Sequence, residues 1–108
     1  MVIYTASNFW LRGHQGNHFG PIIFIHPDYR DDIGLYEHEK THVRQFWRYL
    51  GLNEILYQFF GDFRLKMEVE AYRKQLEFSP GRELVFAGFI ATRYELDITV
   101  AAALELLS

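Results

Sequence analysis

Cysteine is absent from this chain of 108 residues, and proline occurs only three times. Without cysteine the protein can form no disulfide, no thiolate metal site and no thiol nucleophile, so any metal must be bound by histidine and carboxylate. Basic residues are also in deficit, since 11 Lys and Arg stand against 14 Asp and Glu. The resulting net charge of −3 offers no positive field to a nucleic acid, and we expect no nucleic-acid partner.

Long apolar runs are missing as well. The best candidate, residues 84–107, is interrupted by Arg93, Glu95, Asp97 and Glu105 and therefore predicts a buried or amphipathic helix rather than a membrane span. The first eleven residues lack the basic start and the continuous apolar run of a signal peptide. We therefore expect a cytoplasmic protein with no membrane span.

Aromatic residues, by contrast, are abundant, with ten Phe, seven Tyr and two Trp. Each large ring removes roughly 150–250 Å² from water when buried, so these residues can fill the core of a short chain. The length fits one domain, and we predict a single domain over residues 1–108.

The N-terminal third has the pattern of strands. Val2–Thr5 and Ile22–Ile25 are rich in β-branched residues and predict two strands. The glycine-rich stretch between them, residues 12–21, predicts a hairpin or a mobile loop.

The remainder of the chain has helical periodicity. The first helix is predicted from about residue 33 to 49, with Asp31 or Asp32 as its cap and an apolar face that extends to Trp47 and Leu50. The later helices are predicted over about 53–60 with Asn53 as cap, over about 63–78, and over 82–107 as one long or two short helices. The fold class is therefore α+β, with a small N-terminal β-hairpin or sheet packed on a mainly α-helical core.

The first predicted helix contains His38-Glu39-Lys40-Thr41-His42, which matches the H-E-x-x-H pattern. Residues four apart lie one turn apart on the same face, so both imidazoles can reach one Zn²⁺. Glu39 follows at about 100° around the helix and can approach a zinc-bound water without binding the metal. It could then act as general base while that water attacks a carbonyl carbon. The alternative is a pair of partly buried histidines that are hydrogen-bonded to neighbours.

A catalytic zinc usually has three protein ligands and one open position. A histidine six residues after His42 would be one solution, but that position is Arg48. A carboxylate on a later helix is the other common solution, and the third predicted helix offers Glu68 and Glu70.

Helical spacing separates these two carboxylates. Glu68 borders the predicted buried stripe, whereas Glu70 lies on the polar face. A carboxylate at the edge of a buried stripe needs a cation, so we predict Glu68 as the third ligand; an ordinary surface glutamate is the alternative. The stripe consists of Leu65, Val69, Tyr72 and Leu76.

Together, the segments 38–42 and 68–72 resemble the gluzincin metallopeptidases, which combine H-E-x-x-H on one helix with a glutamate ligand on a following helix. The short length is most similar to the minigluzincins, and the resemblance covers roughly residues 22–78. It implies a zincin-like core, a Zn²⁺ cofactor held by His38, His42 and Glu68, and Glu39 as general base. The implied reaction is hydrolysis of peptide bonds in a peptide or protein substrate.

The resemblance also implies roles for residues outside the ligand set. Ile22–Ile25 would be the edge strand that pairs with an extended substrate, which gives Ile23, Phe24 and Ile25 a substrate-binding role. The family often has an acidic residue four places after the ligand glutamate, where this chain has Tyr72. Its hydroxyl could accept from a ligand imidazole or donate to the oxyanion. The candidates for stabilising the oxyanion are Tyr72, His26, Tyr29 and Tyr36.

Two functions without catalysis also fit the sequence. The first is a zinc-stabilised helical module that binds a partner protein, although a purely structural zinc site has no use for Glu39. The second is a metal-free helical interaction protein in which the motif is accidental.

Two further groups of residues have open interpretations. His14 and His18 could form a second metal site or a lid over a substrate, but a solvated polar loop is the simpler interpretation. Five basic residues could bind an acidic partner, although solvated helix faces are the simpler expectation in an acidic chain: Arg44, Arg48, Arg64, Arg73 and Lys74.

Overall fold

The computed structural model describes all 108 residues and has the predicted α+β architecture. The three strands are β1 (Val2–Tyr4), β2 (Gly16–Phe19) and β3 (Ile22–Ile25). The six helices are α1 (Asn8–Leu11), α2 (Ile33–Arg48), α3 (Leu52–Phe59), α4 (Gly61–Phe78), α5 (Glu83–Arg93) and α6 (Val100–Leu107). The prediction of a small N-terminal sheet beside a mainly helical body is confirmed. None of these helices is both long and apolar enough to cross a bilayer.

The sheet has the order β1-β3-β2, with β1 parallel and β2 antiparallel to β3. The prediction that Ile22–Ile25 is an edge strand is therefore wrong. Ile23 pairs with Val2 on one side and with His18 on the other, so no backbone edge of β3 is free for a substrate. The side chains of Ile23, Phe24 and Ile25 are core residues with exposures of 3%, 4% and 1%.

Helix α2 begins where the sequence predicts. The side chain of Asp32 accepts a hydrogen bond of 3.0 Å from the backbone N–H of Leu35 and caps the helix. Asn53, however, does not cap α3. That helix begins after Gly51, whose φ of +85° favours glycine, and Asn53 is buried in the first turn.

Helices α2 and α4 pack along a seam that holds the candidate site. The predicted apolar face of α2 is wrong at its C-terminal end, because Trp47 and Leu50 are 59% and 86% exposed. Trp47 lies about 180° around the helix from His38, on the side away from α4. The residues of α2 that are buried are mostly small or polar: Gly34, Leu35, His38, Glu39, Thr41, His42 and Gln45.

Helix α4 packs against α2, against α3, and against the pair α5 and α6. Of the predicted apolar stripe only Tyr72 is fully buried, while Leu65, Val69 and Leu76 are half-buried. Glu68 lies within the buried face rather than at its border. That face consists of Met67, Glu68, Ala71, Tyr72 and Gln75.

Gly34 permits the close approach of the two helices at one end of the seam. A Cβ atom at this position would lie 2.6 Å from Ser79 Oγ and 3.3 Å from the backbone oxygen of Gln75. An alanine here would therefore require the Ser79 hydroxyl to rotate and the backbone of Gln75 to shift slightly.

The main apolar core lies on the other side of α4. It is formed by Tyr72, Phe86, Ala87, Ile90, Ala103 and Leu107. Tyr72 is therefore shared between this core and the polar seam, and α5 and α6 support α4 from behind.

Candidate metal centre

His38 and His42 of α2 converge on Glu68 of α4. The Nε2 atoms of the two imidazoles are 3.3 Å apart. His38 Nε2 lies 3.3 Å from Glu68 Oε1, and His42 Nε2 lies 3.2 Å from Glu68 Oε2. All three residues are buried, with exposures of 4%, 3% and 2%. The structure thus brings together the three residues that the sequence suggests as zinc ligands.

Gln45 orients His42 from behind. Its Oε1 is 2.9 Å from His42 Nδ1, and its Nε2 donates to the carbonyl of Met67 at 3.1 Å and to Glu70 Oε1 at 2.7 Å. Because these two acceptors fix the amide nitrogen, Oε1 must accept, and His42 Nδ1 must carry a proton. The lone pair or second proton of His42 is consequently at Nε2, which faces Glu68. Helical spacing could have identified Gln45, since it lies three residues after His42 on the same face.

Glu70, the competing ligand candidate, points away from the centre. Both of its oxygens bind Arg48, with Nη1–Oε1 and Nη2–Oε2 distances of 3.2 Å and 3.1 Å. Glu68 and Glu70 thus lie on different faces of α4, as their helical spacing predicts. Glu70 instead supports Gln45, and through it His42.

Tyr57 of α3 contacts the centre, which sequence reasoning missed. Its hydroxyl donates to Glu68 Oε2 at 2.5 Å. No local pattern could have found Tyr57, because its position depends on how α3 packs against α4. The hydrogen bond fixes the orientation of the Glu68 carboxylate.

Tyr72 packs its ring edge-on against His38, with centroids 4.3 Å apart. Its hydroxyl is hydrogen-bonded to the hydroxyl of Tyr94 at 2.6 Å, and His38 Nδ1 has no hydrogen-bond partner. The hydrogen bond from a ligand imidazole, one of the two roles suggested for Tyr72, is therefore not formed.

The remaining oxyanion candidates lie away from the centre. The small cavity beside His38 and Glu39 is not lined by His26, Tyr29 or Tyr36. His26 Nδ1 instead accepts a hydrogen bond from the backbone N–H of Asp28. Tyr72 is the one member of that predicted group at the cavity.

Glu39 lies beside the three converging residues without joining them. It is 5% exposed, and together with His38 it lines a cavity of about 30 Å³ that has room for at least one water molecule. Strand β2 passes directly over it, because a Cβ atom on Gly16 would be 3.4 Å from Glu39 Cγ. The position of Glu39 is thus suited to a water molecule adjacent to His38.

His18 of β2 contacts the carboxylate of Glu39. Its Nδ1 lies 3.5 Å from Glu39 Oε1, and its Nε2 lies 3.3 Å from Glu54 Oε1. The ring stacks on His42 with centroids 4.7 Å apart. The interpretation of His18 as part of a solvated polar loop is therefore wrong, because the hairpin folds back onto α2. His14, from the same stretch, is half-buried and lines the cavity.

Burial and ion pairing compete in setting the charges of these groups. Burial disfavours the charged forms of Glu68 and His42, but their mutual attraction outweighs it, so the pKa of Glu68 is well below its ordinary value and that of His42 is raised. Burial likewise opposes charge on His18, but Glu39 and Glu54 outweigh it and raise the pKa of His18 to about 10. The pKa of Glu39 is lowered: burial is opposed by the three nearby histidines. Both carboxylates are therefore ionised at neutral pH.

The donor set fits a divalent cation of the zinc type. Two imidazoles and one carboxylate are ligands that Zn²⁺ accepts, and Glu68 Oε1 is buried without a hydrogen-bond donor. Two ligands at 2.0–2.1 Å from a tetrahedral zinc are about 3.3–3.4 Å apart. The three contacts in the structure, at 3.2–3.3 Å, are close to that separation.

Comparison with known proteins found no matching family model, no similar curated protein and no similar solved structure. The gluzincin resemblance therefore stays a prediction. What the centre can do chemically is inferred from the residues that form it.

Proposed function

We propose that this protein is a zinc-dependent metallopeptidase of the gluzincin type, with His38, His42 and Glu68 as zinc ligands and Glu39 as general base. The observation that carries the proposal is the convergence of three buried ligand groups at 3.2–3.3 Å, with the ionised carboxylate of Glu39 beside them as a fourth group. The buried Glu68 Oε1, which has no hydrogen-bond donor, favours a bound cation over a pair of histidines that only hydrogen-bond to neighbours.

Zn²⁺, when bound, would supply a Lewis acid that acidifies water and polarises a carbonyl group. Glu39 is suited to the accompanying proton transfers, because its lowered pKa keeps it ionised at neutral pH. Its carboxylate accepts a proton from a water molecule in the adjacent cavity and delivers that proton to the leaving amine. Gln45 and Tyr57 hold His42 and Glu68 in place meanwhile, which limits rearrangement of the centre.

The proposal is tested by metal analysis combined with one substitution. Purified protein should contain about one zinc per chain, as expected of a site with three ligands and an open position. Glu39→Gln should retain this zinc and lose cleavage of a mixed peptide library followed by mass spectrometry. Glu37→Gln, on the same helix but outside the site, should retain both zinc and cleavage.

Two outcomes would contradict the proposal. If the chain binds no zinc after incubation with the metal, zinc is not its cofactor. If the Glu39→Gln variant cleaves as well as the parent, Glu39 is not the general base.

A non-catalytic, zinc-stabilised module that binds a partner protein is the second candidate. The contact between His18 and Glu39 favours it, because that contact occupies the proposed base, and the adjacent cavity is only about 30 Å³. This candidate predicts stoichiometric zinc, a melting temperature that falls on chelation, and no turnover of any peptide.

A further inference from the structure

A second recess lies between α2 and α4, away from the candidate metal centre. Its volume is about 670 Å³, within the range of about 300–1,000 Å³ that is typical of ligand sites. We call it the basic groove, because five of its nine lining residues are cations: Arg44, Arg48, Lys66, Arg73 and Lys74.

The basic groove has a charge opposite to that of the whole chain. Its five cations are offset by two carboxylates, Glu70 and Glu77, which leaves a net charge of +3. The complete chain has a net charge of −3. A net charge of +3 within one recess of an acidic chain would attract an anionic ligand.

Ion pairing leaves three of the five cations free. Arg48 is paired with Glu70 at 3.1 Å and Lys74 with Glu77 at 3.2 Å. Arg44, Lys66 and Arg73 form no ion pair in the structure. Thr41 Oγ1 accepts a hydrogen bond of 3.2 Å from Arg44 Nη2, which holds this guanidinium at the groove. Three unpaired cations along one recess repel each other, and a bound anion would relieve that repulsion.

The distribution of these charges indicates what kind of anion fits. Lys66 and Lys74 are eight residues apart on α4, a span of about 12 Å. An extended polypeptide covers that distance with about four residues at roughly 3.3 Å each. Glu70 and Glu77 within the groove would repel a densely charged phosphate cluster more strongly than carboxylates that are spaced along a chain.

We propose that the basic groove is a docking site for an acidic, extended polypeptide segment. Arg44, Lys66 and Arg73 bind its carboxylates, and Val69 contacts its aliphatic parts. Four of the five basic residues singled out in the sequence line this groove. The fifth, Arg64, instead donates to the carbonyl oxygens of Tyr57 and Tyr94. The site requires neither zinc nor turnover, so it is independent of the peptidase proposal.

The test measures the binding of a fluorescein-labelled peptide of alternating glutamate and glycine by fluorescence anisotropy. The same peptide with glutamine in place of glutamate is the neutral probe. The double variant Arg44→Glu/Arg73→Glu should raise the Kd of the glutamate peptide by at least about tenfold. The matched control Arg30→Glu/Arg82→Glu changes the net charge equally but lies outside the groove, and it should change the Kd by less than about twofold.

The result that would overturn the proposal is equal binding of the glutamate and glutamine peptides, or equal loss of binding in both double variants. Inorganic phosphate is added as competitor at the concentration of the peptide carboxylates. Displacement of the peptide would show a small-anion site and would also overturn the proposal. If the charge reversal unfolds the protein, Arg44→Gln/Arg73→Gln is used instead, with an expected loss of about threefold or more.

Discussion

Two groups of side chains with metal-binding potential share His42, and they differ in how their atoms are arranged. The inner group is His38, His42 and Glu68, and the rim group is His18, Glu39 and His42. In the inner group the ligand atoms of two helices face each other at 3.2–3.3 Å. In the rim group the rings of His18 and His42 are stacked, with only 17° between their planes.

The difference in ring geometry decides which group suits a metal ion. A nitrogen lone pair lies in the plane of its ring, so two stacked imidazoles cannot both direct lone pairs at one ion between them. The rings of His38 and His42, by contrast, are inclined at 71° and can converge. The rim group also has its own cation, since His18 lies between the carboxylates of Glu39 and Glu54. Proximity of histidine and glutamate is therefore not sufficient for a metal site.

The largest expected effect is on zinc affinity. Substituting one carboxylate in each group shows which group binds the metal. Glu68→Gln should weaken zinc binding by about 10²- to 10³-fold, because it removes one ligand from a site whose zinc-binding free energy is typically about 10–16 kcal/mol. Glu39→Gln should change the zinc Kd by less than about threefold, because it removes no ligand. Competition with a chromogenic chelator measures the zinc Kd of both variants. A larger loss in Glu39→Gln would identify the rim group as the metal site.

A smaller effect is expected from Tyr57, which contacts only the inner group. Tyr57→Phe removes the hydroxyl that donates to Glu68 Oε2 at 2.5 Å. Zinc affinity should fall by about 10- to 100-fold, as is typical when a partner of a metal ligand is lost. Tyr49→Phe is the control, since the ring of Tyr49 packs on Phe63 without a hydrogen bond to the centre. Equal affinities of the two variants would show that Glu68 does not depend on Tyr57.

The smallest expected effect arises in the rim group. It is a change in how the free energy of unfolding of the metal-free protein depends on pH. The pKa of His18 is raised to about 10, above the value of about 6.5 in an unfolded chain. Its stabilising contribution is therefore complete below about pH 6.5 and is lost as the pH rises towards 10. Urea unfolding of chelator-treated protein at about pH 6 and pH 9.5 should show this loss, and His18→Gln should reduce it. An unchanged pH dependence in the variant would mean that His18 is neutral in the folded protein.

The sequence could predict those parts of the site that depend on one helix. The spacing of His38 and His42, and the placement of Glu68 and Glu70 on different faces, follow from helical geometry, and the structure has both. The strand order could not be predicted, because the glycine-rich stretch over residues 12–21 fitted a hairpin as well as a mobile loop. The family resemblance implied an edge position for β3, and the pairing of β2 with β3 overturns it.

Contacts between distant elements were beyond the reach of the sequence for a related reason. Tyr57 reaches Glu68 only because α3 packs against α4, and His18 reaches Glu54 only because the β2–β3 hairpin folds onto α2. Neither residue has a neighbour in sequence that signals its role. Apolar periodicity places Trp47 and Leu50 on the apolar face, but both are exposed, because periodicity does not reveal where a packing partner ends.

The spacing of the inner group has a consequence for the order of folding. His38 and His42 come together as soon as one turn of α2 forms, whereas Glu68 is 26 residues further along the chain. If zinc binds here as proposed, a nascent α2 could bind it through both histidines before the seam with α4 closes, and this binding would offset the unfavourable first step of helix formation. We expect refolding from urea, followed by stopped-flow fluorescence, to be faster with zinc than with chelator, and this acceleration to disappear in His42→Ala. In this protein the metal would then guide the chain into its fold as well as occupy the finished site.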